Sequence, residues 1–198
     1  MREQLKFKQL LNQFRSLKFE EEYVEDVLME AHVEFDEAYK KYLEENKISL
    51  EELLGPPEEP QEKKKVAEDG IHESKPLPDE LKLFKKAHRK LVRKLHPDRI
   101  RNNDPRREEY EKDFKTMQEA IQNEVWSDFF DLADKYNIYL DRVEEANRLL
   151  LEDIDKMSND IDGKKKTFSW FMKQCNGDKD CCDNVVELYL RTKYGWVK

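Results

Sequence analysis

Pro97 lies between two segments that each repeat apolar residues at helical spacing, and this leaves the chain few ways to fold. Upstream, Leu81, Phe84, His88 (half-apolar), Leu91, Val92 and Leu95 recur at steps of three and four. That pattern predicts one stripe of an amphipathic helix over 81–95. Proline drives the residue before it out of the α region, so the helix ends at His96-Pro97-Asp98. Downstream of a polar, basic loop from Arg99 to Arg107, Phe114, Met117, Ile121 and Val125 form a second single stripe within 108–126. Two such helices joined by a short loop bury their stripes by lying antiparallel.

The other face of the first helix carries Lys82, Lys85, Lys86, Arg89, Lys90, Arg93 and Lys94, with no acid between Leu81 and Pro97. Solvated helix faces normally mix the two signs. Seven cations on one face repel one another, which implies a negative partner, either an acidic protein surface or phosphates. Single exposed ion pairs contribute only about 0–1 kcal/mol. Several together give a fast, weak and salt-sensitive encounter.

Three stretches together resemble the J-domain of DnaJ-type co-chaperones: Lys85-Lys86-Ala87-His88-Arg89-Lys90-Leu91, His96-Pro97-Asp98-Arg99, and Phe114-Lys115-Thr116-Met117-Gln118-Glu119-Ala120-Ile121. The resemblance covers about a quarter of the chain. It implies a J-domain-like antiparallel hairpin that docks on the nucleotide-binding domain of a DnaK-type (seventy-kilodalton heat-shock) chaperone and speeds its ATP hydrolysis. By the same resemblance, Lys85, Arg89 and Lys90 meet the chaperone's acidic groove and Asp98 makes the triggering contact. Pro97 fixes the loop, His96 orients it and Arg99 reinforces the charge. His88 stands where the family commonly has tyrosine. The family's short opening helix, with its Tyr-x-x-Leu-Gly pattern, has no counterpart between Pro56 and Pro78. Its packing role passes to another segment, the N-terminal helix being one candidate, or the domain is a minimal hairpin. Such a protein acts as a ligand that prefers one conformer of its partner. It performs no chemistry itself, so neither an enzyme nor a cofactor is expected.

Composition limits the remainder. Charged residues make up 41% of the 198 and hydrophobic ones 37%, which favours an all-α fold of amphipathic helices sharing narrow seams over one large core. The net charge of −8 argues against a general nucleic-acid binder, leaving the basic helix as a local patch. Neither a secretory signal nor a membrane-spanning run is read, so a soluble cytoplasmic protein is expected.

Four regions follow from the pattern: an acidic N-terminal helical segment at 1–54, a flexible linker at 55–78, the hairpin at 79–126 and a C-terminal helical region at 127–198. Residues 1–18 are mildly basic and read as a short helix or an arm, and 20–45 as an acidic helix with a broad apolar face. Ser49-Leu50-Glu51-Glu52 has capping-box spacing. Further helices are expected from Ser127 to Tyr136, from Ile138 to Ile161 with Gly163 as C-cap, from Thr167, and from Asp183. The acidic helix and helix 138–161 are the expected packing pair, forming a hairpin or small bundle. The acidic helix is also able to fold onto the basic helix 82–94 and mask it.

His96 and Asp98 lack a nucleophile beside them and fall short of a metal ligand set. Cys175, Cys181 and Cys182 allow zinc, a Cys175–Cys181 or Cys175–Cys182 disulfide, or free thiols, and the free thiols are the expected state. Trp126, Trp170, Phe171 and Trp196 read as core, or as an exposed apolar surface within 164–198. The flanking helices are expected to bind a client, a scaffold or another copy of the chain. The rival readings are a structural or assembly protein that keeps the hairpin as a packing unit, and a nucleic-acid-binding module that uses the basic helix.

Overall fold

The computed structural model describes residues 1–49, 53, 79–101 and 103–197. Among these the protein is all-α, with eight α-helices, one 3-10 turn and no strand. The helices are α1 (Arg2–Asn46), α2 (Asp79–Leu83), α3 (Lys85–Leu95), α4 (Arg107–Gln122), α5 (Trp126–Lys135), α6 (Val143–Lys164), α7 (Phe168–Gln174) and α8 (Lys179–Tyr194), with the 3-10 turn at Pro97–Arg99. None of the helices is long and apolar enough to cross a membrane. The linker assigned to 55–78 and most of the capping-box motif lie outside the described residues.

By their contacts the described residues fall into two compact units, one within Met1–Phe19 and Ser74–Asn159, the other within Glu20–Glu73 and Asp160–Lys198. This division differs from the boundaries read from the sequence. The sign of charge reverses at Phe19, but the helix does not stop there, because nothing at that position disfavours helical backbone.

In the first unit the start of α1 packs against the hairpin. Phe7, Leu10, Leu11 and Phe14 from the start of α1 share one core with Leu81, Phe84, Leu91 and Leu95 of α2–α3, Met117 and Ile121 of α4, and Phe129 and Phe130 of α5. The Phe84 ring stands edge-on to Phe130 with centroids 4.9 Å apart, and Phe7 meets the same ring at 6.1 Å. Charge locks the pair of α1 and α5 in register. Lys8 reaches Asp134 at 2.6 Å, Arg15 spans Asp131 (2.7 Å) and Asp134 (3.0 Å), and Lys18 holds Asp128 at 2.6 Å. Buried Asp153 of α6 accepts the Ser127 backbone N–H at 2.8 Å, which satisfies one orphan donor in the first turn of α5. Ser127 therefore sits inside α5 and does not cap it.

Other boundaries move for local reasons. Phe84 adopts φ −105°, ψ 16° and divides the expected helix 81–95 into α2 and α3. The second stripe ends at Gln122, after which Glu124 takes a left-handed φ of 57° and Trp126 opens α5. The long helix begins at Val143, not Ile138, and buried Leu140 lies in the connection. It runs through Gly163 to Lys164, so Gly163 is no C-cap.

In the second unit, Phe35, Tyr42 and Leu43 of α1 share a core with Met172 of α7 and Val186 and Leu190 of α8. The Tyr42 hydroxyl donates to Glu187 at 2.6 Å. Lysines of the same unit hold the acids of α1. Lys164 takes Glu21 (2.8 Å) and Glu25 (2.7 Å), Lys165 takes Glu20, Lys173 takes Glu30 (3.2 Å) and Glu34 (2.6 Å), and Lys179 takes Glu45 (2.9 Å). Thr167 caps α7 by accepting the Trp170 N–H. Asp178, not Asp183, caps α8 by accepting the Cys181 N–H at 2.8 Å. Cys175 and Cys181 form a disulfide and only Cys182 is a free thiol, which corrects the expectation of three free thiols. Burial pushes that thiol's pKa up.

Candidate partner-binding site

Helix α3 turns its apolar stripe inward, with Ala87 3%, Leu91 0% and Leu95 0% exposed. At roughly 100° per residue, Lys85, Arg89, Arg93, Lys86, Lys90 and Lys94 then spread over about half the circumference on the opposite side. All six are exposed. Two make contacts at the margins: Lys86 meets Asp141 at 2.9 Å, and Lys94 lies over the Tyr136 ring at 5.0 Å and donates to the Tyr136 carbonyl at 3.4 Å. Among the described residues no carboxylate pairs with Lys85, Arg89, Lys90 or Arg93. Three of these four are the residues singled out from the sequence, and they lie on one exposed face.

The corner after α3 is built from several short interactions. His96 takes φ −59°, ψ 126°, the extended geometry that a following proline requires, while its N–H still closes the last helical turn on Val92 O at 2.9 Å. Its ring Nδ1 accepts the Asp98 N–H at 3.3 Å and so caps the 3-10 turn. Arg99 N–H donates to His96 O at 2.9 Å and Ile100 N–H to Pro97 O at 3.1 Å. The imidazole also stands edge-on to Phe114 of α4, with centroids 5.3 Å apart. With its backbone fixed this way, the Asp98 side chain is 88% exposed. Its Oδ2 lies 3.7 Å from His96 Nδ1, too far for a hydrogen bond, so the carboxylate is free to meet a partner. Arg99, beside it, is exposed too.

Sequence reasoning missed what holds Phe114 beneath His96. Asp113, only 9% exposed, accepts from Lys135 at 2.6 Å and from the Tyr136 hydroxyl, and Glu109 also takes Lys135 at 2.8 Å. This clamp between α4 and the end of α5 fixes the rotation of α4 and with it the position of Phe114. Its only sequence signal is an acid on the stripe side of α4 next to Phe114. Burial, together with Asp113, pushes the Tyr136 hydroxyl pKa up.

His88 lies half-buried at the edge of the basic face, and burial lowers its pKa. The unfolded chain therefore binds this proton more readily than the folded one. Its contribution to stability is complete above the unfolded value of about 6.5 and is lost as pH falls through the lowered folded value. Thermal melts between about pH 5 and 8 should show the midpoint dropping on the acid side, and His88→Phe should flatten that drop. An equally steep acid-side drop in the variant would assign the effect to other groups.

No group of three or more His, Cys, Asp or Glu side chains able to hold a metal occurs among the described residues. The arrangement places an exposed acid-bearing corner beside a cationic face. Comparison of the chain with known protein families, curated proteins and solved structures finds no match.

Proposed function

We propose that the protein is a J-domain co-chaperone. On this reading α3 and the His96-Pro97-Asp98 corner dock on a DnaK-type chaperone and stimulate its ATP hydrolysis, while the flanking helices engage a client or scaffold. The observation that carries the reading is the exposed Asp98 carboxylate, held on a corner by His96 and Phe114 next to cations that no carboxylate of the described residues neutralises. Lys85, Arg89 and Lys90 supply the attraction to an acidic groove, and Arg99 adds to it at the corner. Asp98 supplies the contact that distinguishes one chaperone conformer from another, since a ligand shifts an equilibrium only by its differential affinity. Pro97 and His96 keep that contact at a fixed place. A cytoplasmic setting goes with such a partner, and there the Cys175–Cys181 bond meets a reducing thiol pool.

The test is single-turnover ATP hydrolysis by a DnaK-type chaperone with and without this protein, at two salt concentrations. Stimulation should be marked at low salt and weaker at high salt, because exposed charges more than about 10 Å apart are screened near 0.1 M. His96→Gln, which removes the ring from Phe114, should lose most of the stimulation while the thermal midpoint of the protein stays within a few degrees. If the wild-type chain leaves the hydrolysis rate unchanged at both salt concentrations, the reading fails.

A further inference from the structure

The outer face of α1 in the second unit exposes a row of large apolar side chains. Tyr23 is 64% exposed, Met29 71% and Val33 59%. Glu22, Asp26, Met29, Val33 and Glu37 follow one another at steps of four, three, four and four, which places them on one face of the helix, with Tyr23 at its margin. The buried residues Val24, Ala31 and Phe35 occupy the opposite face. Packing among the described residues of the unit therefore leaves the row exposed.

The charge around the row has one sign. Between Lys18 and Lys40 the chain has no lysine or arginine. Glu20, Glu21, Glu25, Glu30 and Glu34 hold lysines of α6–α7 and the turn between them. Glu22, Asp26 and Glu37 are exposed, and no base among the described residues pairs with them. Acids interleaved with Met29 and Val33 select an occupant that carries cations around large apolar groups. A second copy of the chain suits this face poorly, because an isologous contact sets the same patch against itself and brings acid against acid.

We propose that the α1 face formed by Glu22, Tyr23, Asp26, Met29, Val33 and Glu37 is a docking surface for a basic amphipathic helix of another protein. The apolar side of that helix packs on Met29 and Val33, and its lysines or arginines meet Glu22, Asp26 and Glu37. Such helix-on-helix recognition uses anchors at steps of three and four, and methionine adapts to varied partners. This deepens the client-binding half of the proposed function. The test omits the chaperone, so its failure and a failure of ATPase stimulation are read separately.

The probe is a fluorescein-labelled amphipathic peptide of leucine and lysine, titrated with the full chain and followed by anisotropy. The control peptide has glutamate in place of lysine. Saturable binding of the lysine peptide and none of the glutamate peptide is expected. Met29→Ser with Val33→Ser keeps the charge and should weaken binding about tenfold or more. Glu22→Lys with Asp26→Lys and Glu37→Lys should weaken it at least as much. All five positions are exposed, so circular dichroism spectra should match the wild type. Three results would overturn the proposal: undiminished binding by the serine variant, which means attraction by net charge alone; equal binding of the glutamate peptide; or a dimer of the full chain that the serine variant splits, which assigns the face to a second copy.

Discussion

If the protein acts as proposed, Asp98→Asn should reduce the stimulation of a DnaK-type chaperone to its basal rate and leave the protein as stable as before. The substitution keeps the size and shape of the side chain and removes only its charge. At 88% exposure, with its oxygens outside hydrogen-bond range of His96, the carboxylate contributes little to the fold, and a change of about 0.5 kcal/mol at most is expected. The backbone N–H that holds the corner on His96 Nδ1 is untouched. In the docked complex the same carboxylate would be a desolvated charge facing a partner cation, and loss of one member of such a pair costs about 2–5 kcal/mol. Each 1.36 kcal/mol is tenfold, so even the lower end removes more than an order of magnitude of coupling. The sign also separates the rivals. Phosphate binding by Lys85, Arg89 and Lys90 would be unchanged or strengthened when a nearby negative charge is removed. An assembly role would show no ATPase effect for any variant. Stimulation by the Asn variant equal to wild type would remove Asp98 from the mechanism.

The helices that proved readable are those whose limits are set by local chemistry. The stripes of α3 and α4, the stop at Pro97 and the Thr167 cap depend on spacing and on one residue's backbone preference, and both are visible in sequence. Where tertiary packing decides, the pattern misleads. Phe84 breaks a helix without proline or glycine, its ring lying in the cluster of Phe129, Phe130 and Trp126. Asp183 has the chemistry of a cap, but so does Asp178, and the earlier residue adds a turn to α8 next to the Cys175–Cys181 closure. Within the candidate site, the exposure of Lys85, Arg89, Lys90 and Asp98 follows from the stripe and the corner. The Asp113–Lys135–Tyr136 clamp does not, because it joins residues more than twenty positions apart whose proximity depends on how α4 meets α5.

The N-terminal segment gives the largest structural prediction. Deletion of Met1–Phe19 should unfold the hairpin unit and, on the proposed reading, abolish chaperone stimulation. Phe7, Leu10, Leu11 and Phe14 are each at most 9% exposed and lie in the core that contains Leu91, Leu95 and Met117. Burial of one such side chain stabilises by about 1.5–3 kcal/mol, so four contribute about 6–12 kcal/mol. That is comparable with the whole stability of about 5–15 kcal/mol typical of a domain. The deletion also removes Lys8, Arg15 and Lys18 from Asp134, Asp131 and Asp128, leaving three acids of α5 without their cations. A milder version isolates the packing: Phe14→Ala, at a site with no exposed surface, should cost about 3–5 kcal/mol in urea denaturation. It should lower stimulation only under conditions where the unit begins to unfold. A truncated chain that melts as cooperatively as the wild type and stimulates as well or better would show that the hairpin stands without its N-terminal partner.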